Sequence, residues 1–65
     1  MKLMSKQINE TGSNYLIYIM DDAGSPLTCE YANIENKQTV IDELITKFGE
    51  ISNLEEMTYN DYINQ

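Results

Sequence analysis

Apolar positions in the first half of the chain follow the period of β-strands. Residues 15–20, Tyr-Leu-Ile-Tyr-Ile-Met, are apolar on both faces of an extended backbone, which is typical of a strand inside a sheet. A weaker alternation over residues 2–8 predicts a short edge strand. Residues 27–33 predict a third strand, with Leu27, Cys29 and Tyr31 facing the core. The short connections favour an antiparallel meander in the order one, two, three.

The period changes at residues 36–48, where the pattern predicts an amphipathic helix. Its apolar positions form one continuous stripe: Val40, Ile41, Leu44, Ile45 and Phe48. Asn36 or Thr39 is placed to cap the start, and Gly49 stands where a left-handed residue ends many helices. The stripe needs a cover, and the apolar face of the sheet is the large one available.

The C-terminal segment has two interpretations. In one, Ile51 and Leu54 anchor a connection, and Thr58 caps a short helix at residues 59–63. In the other, Ser52 or Asn53 caps a helix that begins at Leu54. Glu55 and Glu56 would then lie in its first turn, near the positive end of the helix dipole.

Together these elements predict an α+β fold in a single domain, residues 1–65. The fold is a three-stranded antiparallel β-meander with one amphipathic helix packed on one face and a short C-terminal helix. A chain of 65 residues buries only about 60% of its unfolded surface, so stability should be modest. A partner or a second copy would add to it, and monomer and homodimer both remain open.

Charge narrows the range of partners. Eleven acids against four lysines, without arginine or histidine, give a formal charge of −7. Direct binding to nucleic acid is disfavoured because phosphate contacts need lysine or arginine. A basic partner is favoured, including a protein surface that normally holds nucleic acid. Maintaining solubility is the alternative role for such a charge.

The residue types argue against an enzyme. Without histidine there is no ordinary general base near neutral pH, and no arginine is present to clamp a phosphate. Cys29 is the single cysteine, which excludes an internal disulfide and favours a reducing cytosol. The acids lack the spacing of a calcium loop, so we expect no metal site, and we expect no cofactor. The start of the chain does not resemble a secretion signal, and no run is long enough to span a membrane.

Two features remain as candidates for binding. Asp21 and Asp22 stand at the predicted hairpin tip, where aspartate and glycine also serve as ordinary turn residues. Tyr59 and Tyr62 lie among acids and amides near the C-terminus. A rigid aromatic ring beside hydrogen-bond acceptors suits a protein interface. One of the two tyrosines is expected to pin the terminal helix to the core instead.

The order of these features resembles the small acidic type II-A anti-CRISPR proteins, which inhibit Cas9 by mimicking DNA. The resemblance runs over most of the chain. It includes residues 15–19 leading into Asp-Asp-Ala-Gly at 21–24, a strand with Glu30 and Tyr31, the helix opening at 34–41, and an acidic segment at 55–61. This chain has no counterpart of the family's N-terminal helix, and its final acidic run is shorter.

The resemblance implies which residues contact the partner. In that family, an acidic turn between strands two and three, together with acids that begin the last helix, occupies the Cas9 site that reads the PAM duplex. The partner-binding residues implied here include Asp21, Asp22, Glu55 and Glu56. Weaker candidates are Glu30 and Asp61, and Tyr59 joins them as a surface aromatic.

The sequence therefore predicts a phage or mobile-element inhibitor that works in the host cytosol and binds guide-loaded Cas9. Its carboxylates would compete with the PAM duplex, with strong salt dependence. Two alternatives remain open. The target is another nucleic-acid enzyme such as uracil-DNA glycosylase, or the chain is an antitoxin-like interaction module that binds through apolar surface.

Overall fold

The computed structural model describes residues 1–49 and 51–64. Within them the elements run in the order β1 (Lys2–Gln7), β2 (Asn14–Met20), β3 (Pro26–Asn33), α1 (Lys37–Phe48), β4 (Asn53–Met57) and α2 (Tyr59–Ile63).

The strands form one mixed sheet in the order β3-β2-β1-β4. β2 pairs antiparallel with β1 and with β3, whereas β4 pairs parallel with β1. The predicted α+β class is confirmed, and so is the position of residues 15–20 between two other strands. The predicted antiparallel meander of β1, β2 and β3 is present. The prediction that the sheet has three strands is wrong, because a fourth strand joins it in parallel.

β1 is not the edge strand that its weak alternation predicted. It lies between β2 and β4, with Leu3 opposite Ile19 on one side and opposite Leu54 on the other. Leu3 and Ser5 are buried. The small polar Ser5 occupies a core position, and it interrupts the apolar pattern that would have marked an interior strand.

Neither interpretation of residues 53–57 is correct, because these residues form the strand β4. Neither a connecting segment nor a helix beginning at Leu54 is present; instead Glu55 pairs with Met4 and Glu56 pairs with Ser5. The physical reason lies in β1. Its backbone is buried, and the N–H and C=O groups along its second edge need hydrogen-bond partners, which β4 supplies.

α1 covers one face of the sheet. Its residues Val40, Ile41 and Leu44 are buried against a cluster from the strands: Leu3, Tyr15, Ile17, Ile19 and Ala32. The predicted stripe is confirmed at these three helix positions, while Ile45 at its margin is exposed. Gly49 ends the helix as predicted, with φ +73° and its N–H donating to the carbonyl oxygen of Ile45.

β3 presents the opposite face to the one predicted. Ala32 is its buried residue on the α1 side, whereas Cys29 and Tyr31 are exposed. Cys29 pairs with Tyr18 and Tyr31 with Leu16, and these β2 residues alternate with the buried Tyr15, Ile17 and Ile19. The expectation of a core-facing Cys29 is therefore wrong. Alternation groups residues by face, but it does not say which face the helix covers.

The predicted C-terminal helix is confirmed as α2. The Thr58 hydroxyl accepts a hydrogen bond from the Asp61 N–H at 3.2 Å, which satisfies one free donor of the first turn. The Tyr59 N–H donates to the side-chain oxygen of Gln7 at 3.0 Å. These contacts hold α2 beside the end of β1.

Candidate partner-binding surface

Asp21 organises the hairpin tip. One of its carboxylate oxygens accepts hydrogen bonds from the N–H groups of Ala23 at 3.0 Å and Ser25 at 2.8 Å. Gly24 takes φ +87°, a left-handed conformation that glycine adopts without steric cost. Asp21 thus serves the turn itself, and much of its hydrogen-bonding capacity is used inside the loop.

Asp22 has a different environment. Its side chain is 96% exposed, and a carboxylate oxygen lies 3.3 Å from the ammonium nitrogen of Met1. Because Asp21 fixes the loop, the carboxylate of Asp22 is presented from an ordered backbone. Of the two predicted tip acids, Asp22 is the exposed one, whereas Asp21 is half-buried.

The hairpin tip and the beginning of β4 lie at the same end of the sheet. A surface cleft of about 280 Å³ is lined by Asp21 and Asp22 from the tip, and by Lys2 and Asn53 from the neighbouring strands. Glu55 follows two positions further along β4, and its carboxylate lies 3.2 Å from Nζ of Lys2. A lysine therefore accompanies Glu55 on the side of β4 that faces this cleft.

Glu56 points to the other face of the sheet, because successive side chains in a strand alternate. Its carboxylate oxygen lies 2.7 Å from Nζ of Lys37, at the start of α1. The same Lys37 ammonium lies 4.5 Å from the centre of the Tyr15 ring. Asp21, Asp22, Glu55 and Glu56 consequently do not form a single row of carboxylates, and the two glutamates are each paired with a lysine.

The other predicted binding residues are spread over the molecule. Glu30 is exposed on β3, where it pairs with Ile17 and so belongs to the α1 side of the sheet. Asp61 is exposed in the first turn of α2. Tyr59 is half-buried, with its ring 6.4 Å from that of Tyr62. That one of the two tyrosines pins α2 to the core stays a prediction.

The remaining two lysines rest on aromatic rings. Nζ of Lys6 lies 5.4 Å from the ring centre of Tyr18 and 5.6 Å from that of Tyr62. Nζ of Lys47 lies 5.7 Å from the ring centre of Phe48. Sequence reasoning did not find these contacts, which depend on strand register and on the placement of α2.

Sequence reasoning also missed a partly exposed surface on the sheet face opposite α1. We call it the β2–β3 surface; in it Leu16, Tyr18 and Met20 are half-buried, and Cys29 and Tyr31 are exposed. Tyr31 is 76% exposed, and Leu27, at an irregularity in the β2–β3 pairing beside this surface, is 48% exposed. The alternation along residues 27–33 could have indicated this surface, because it places Cys29 and Tyr31 on the same face of the strand. That face was predicted to point to the core.

Within residues 1–49 and 51–64, no three acidic or cysteine side chains come together as a metal site would require. No helix in the described part of the chain is long and apolar enough to span a membrane. Comparison of the chain with protein-family models, with curated proteins and with solved structures gave no match.

Proposed function

We propose that this protein is a small non-catalytic inhibitor that binds a basic, nucleic-acid-handling protein in the host cytosol. Guide-loaded Cas9 is the proposed target, and occlusion of the site that reads the PAM duplex is the proposed mechanism. The observation that carries the proposal is the placement of charge. Lys2 and Lys37 lie against acids and Lys6 and Lys47 over rings, while Asp22 projects from a fixed turn with its carboxylate 96% exposed beside the Met1 ammonium.

This placement favours an electrostatic role for the outward-facing acids. The net charge of −7 creates a field that attracts a basic partner and accelerates the encounter at low salt. Asp22 is the first contact in this proposal, with Glu30 and Asp61 as further exposed acids. All three paired acids would exchange a cation of this chain for a basic group of the target: Asp22 the Met1 ammonium, Glu55 the ammonium of Lys2 and Glu56 that of Lys37.

The resemblance to type II-A anti-CRISPR proteins supports the choice of Cas9. The strands on either side of the tip form a hairpin as that resemblance implied, and the acidic turn lies between strands two and three. The acids of residues 55 and 56 stand in a strand instead of a helix. The proposed mimicry therefore rests on the tip more than on the C-terminal acids.

Pull-down with guide-loaded Cas9, followed by competition with a PAM-containing duplex, tests the proposal. We expect capture that weakens as salt rises, and displacement of the duplex. Asp22→Asn should weaken capture severalfold, and Glu43→Gln on the exposed face of α1 is the control with the same change of charge. Absence of capture, or capture that leaves duplex binding intact, rejects the mechanism.

Two other functions fit part of the same surface. A uracil-DNA glycosylase or another host DNA enzyme offers a similarly basic site, and inhibition assays with those enzymes separate them from Cas9. The exposed Tyr31 favours an antitoxin-like interaction module. In that case affinity should barely change with salt, and Asp22→Asn should have little effect.

A further inference from the structure

β4 and α2 add no residue to the buried core. The described residues from 53 to 64 are all exposed or half-buried, and none belongs to the core cluster that joins β1, β2, β3 and α1. Leu54 marks the limit of that core. It lies opposite Leu3 in the sheet, yet Leu54 is 51% exposed whereas Leu3 is 0% exposed. The cover that α1 provides therefore ends at β1.

The contacts that hold residues 53–64 are mostly polar. β4 forms backbone hydrogen bonds with one neighbouring strand, β1. Side-chain contacts add to this pairing, and they join Tyr59 to Gln7, Glu55 to Lys2, Glu56 to Lys37 and Tyr62 to Lys6. Partly exposed ion pairs and single cation–π contacts are each weak in water. The segment is thus attached at one edge of the sheet with little apolar burial.

The sequence of β4 does not favour a strand by itself. Residues 53–57 read Asn-Leu-Glu-Glu-Met, in which asparagine and glutamate are depleted in strands, and leucine, glutamate and methionine favour helices. β3, the other edge strand, differs because it contains Thr28 and Tyr31 and places Ala32 in the core. The extended conformation of β4 therefore depends on its pairing with β1.

We infer that residues 53–64, the C-terminal strap, open as one unit while β1, β2, β3 and α1 remain folded. Opening separates Glu55 from Lys2 and Glu56 from Lys37, and it places both carboxylates on one unpaired segment. It also exposes the hydrogen-bonding groups along the outer edge of β1, which can then pair with another strand. The inference goes beyond the proposed function and does not depend on the identity of a target.

The rest of the chain keeps its core when the strap opens. The residues that stay buried together are Leu3, Tyr15, Ile17, Ile19, Ala32, Val40, Ile41 and Leu44. Three strands that pack against a helix are sufficient for independent stability. Segments with few buried apolar contacts open at a lower free energy than the core does. The strap has this property, whereas β3 is joined to the core through Ala32.

Hydrogen exchange of the full chain, measured by NMR for each backbone amide, tests the inference. Urea is varied below the global transition, because a unit that unfolds exposes surface and its exchange rises with urea along one common slope. We expect the amides of β4 and α2 to share such a slope and to exchange at least tenfold faster than those of β2. β3 is the control edge strand, and its amides that pair with β2 should exchange together with β2.

A core variant separates strap opening from global unfolding. Ile17→Val removes one buried methyl group from β2 and should accelerate exchange of the β2 amides about two- to tenfold. The strap amides should keep their rate, because Ile17 remains in the folded part of the chain when the strap opens.

A second variant acts on the strap itself. Glu56→Gln removes the partner of Lys37 and should accelerate strap exchange about two- to fivefold, the range for a partly exposed ion pair. The β2 amides should accelerate by the same factor, since global unfolding breaks the same ion pair. Glu43→Gln on the exposed face of α1 makes the same change of charge and should leave the strap rate unchanged.

Three results overturn the inference. The first is strap exchange with the same free energy and slope as β2, which means that the chain opens only as a whole. The second is strap exchange that does not change with urea, as for single hydrogen bonds that fray or a segment that never closes. The third is equal acceleration of the strap and of β2 in Ile17→Val. The Cas9 pull-down is separate, so its failure removes the proposed function and leaves the strap.

Discussion

The ammonium of Lys37 lies 2.7 Å from a carboxylate oxygen of Glu56, which ties the first residue of α1 to the strand β4. The two residues are 19 positions apart, and their contact joins α1 to the strand that follows it in the chain. Because Lys37 also lies over the Tyr15 ring, one side chain connects the helix, the edge strand and β2.

A double-mutant cycle measures this connection. Lys37→Gln and Glu56→Gln should show a coupling of about 0.3–1 kcal/mol in the free energy of unfolding, the range for partly exposed ion pairs. The coupling should decrease in high salt because the Glu56 carboxylate is exposed. Urea unfolding at two salt concentrations is the measurement. Lys47→Gln with Glu56→Gln is the control pair, and an equal coupling there would contradict the assignment.

Asp21 and Asp22 should separate stability from binding. Asp21→Ala removes the acceptor of two N–H groups of the tip and should lower the free energy of unfolding by about 1–2 kcal/mol. Asp21→Asn keeps an acceptor oxygen and should recover much of that loss. Asp22→Ala should change stability by less than about 0.5 kcal/mol, as expected for an exposed surface position. Equal losses for the two alanine variants would show that Asp21 does not organise the tip.

The left-handed residue after α1 gives a further prediction. Gly49→Ala should destabilise the protein by about 1–2 kcal/mol, because an L-residue with a Cβ disfavours φ +73°. Gly49→Asn should cost less, since asparagine tolerates this conformation better. Thermal unfolding compares the three proteins. The space around a Cβ at this position is open, so a large loss would not come from a clash.

Ser5 is a buried polar residue in the centre of the sheet, and its hydroxyl has no hydrogen-bond partner among the described residues. An unsatisfied buried hydroxyl costs about 1–3 kcal/mol. Ser5→Ala should therefore leave stability unchanged or raise it, whereas Ile17→Ala in the same core should lower it by about 2–5 kcal/mol. Urea unfolding of both variants is the test, and a clear loss for Ser5→Ala would reveal a hydrogen bond of the hydroxyl.

Local signals in the sequence were sufficient for elements that local chemistry determines. Residues 15–20, the stripe of α1, its end at Gly49 and the cap of α2 at Thr58 all follow from spacing and residue type. β4 could not be predicted in this way. Its sequence Asn-Leu-Glu-Glu-Met lacks the alternation of a half-buried strand, and its extended conformation is imposed by β1.

Some features of the candidate surface could likewise be predicted from the sequence, and others could not. Turn chemistry placed Asp21 and Asp22 at the hairpin tip, as the structure has them. Glu55 and Glu56 lie on opposite faces of the sheet because β4 is a strand. Since β4 itself was not predicted, this separation was not predicted either. Whether Cys29 and Tyr31 are buried or exposed depends on which face of the sheet α1 covers. Residue spacing along β3 does not determine where α1 packs.

The parallel pairing of β1 with β4 has a consequence for how the protein folds. Ser52 donates a backbone hydrogen bond to Met1, and the two residues are 51 positions apart. Contacts between such distant parts of a chain raise the contact order, and folding slows because a long loop must close before the contact forms. During synthesis on the ribosome, β1 keeps an open edge until residues 53–57 emerge. The nascent chain should therefore be most prone to aggregate during that interval.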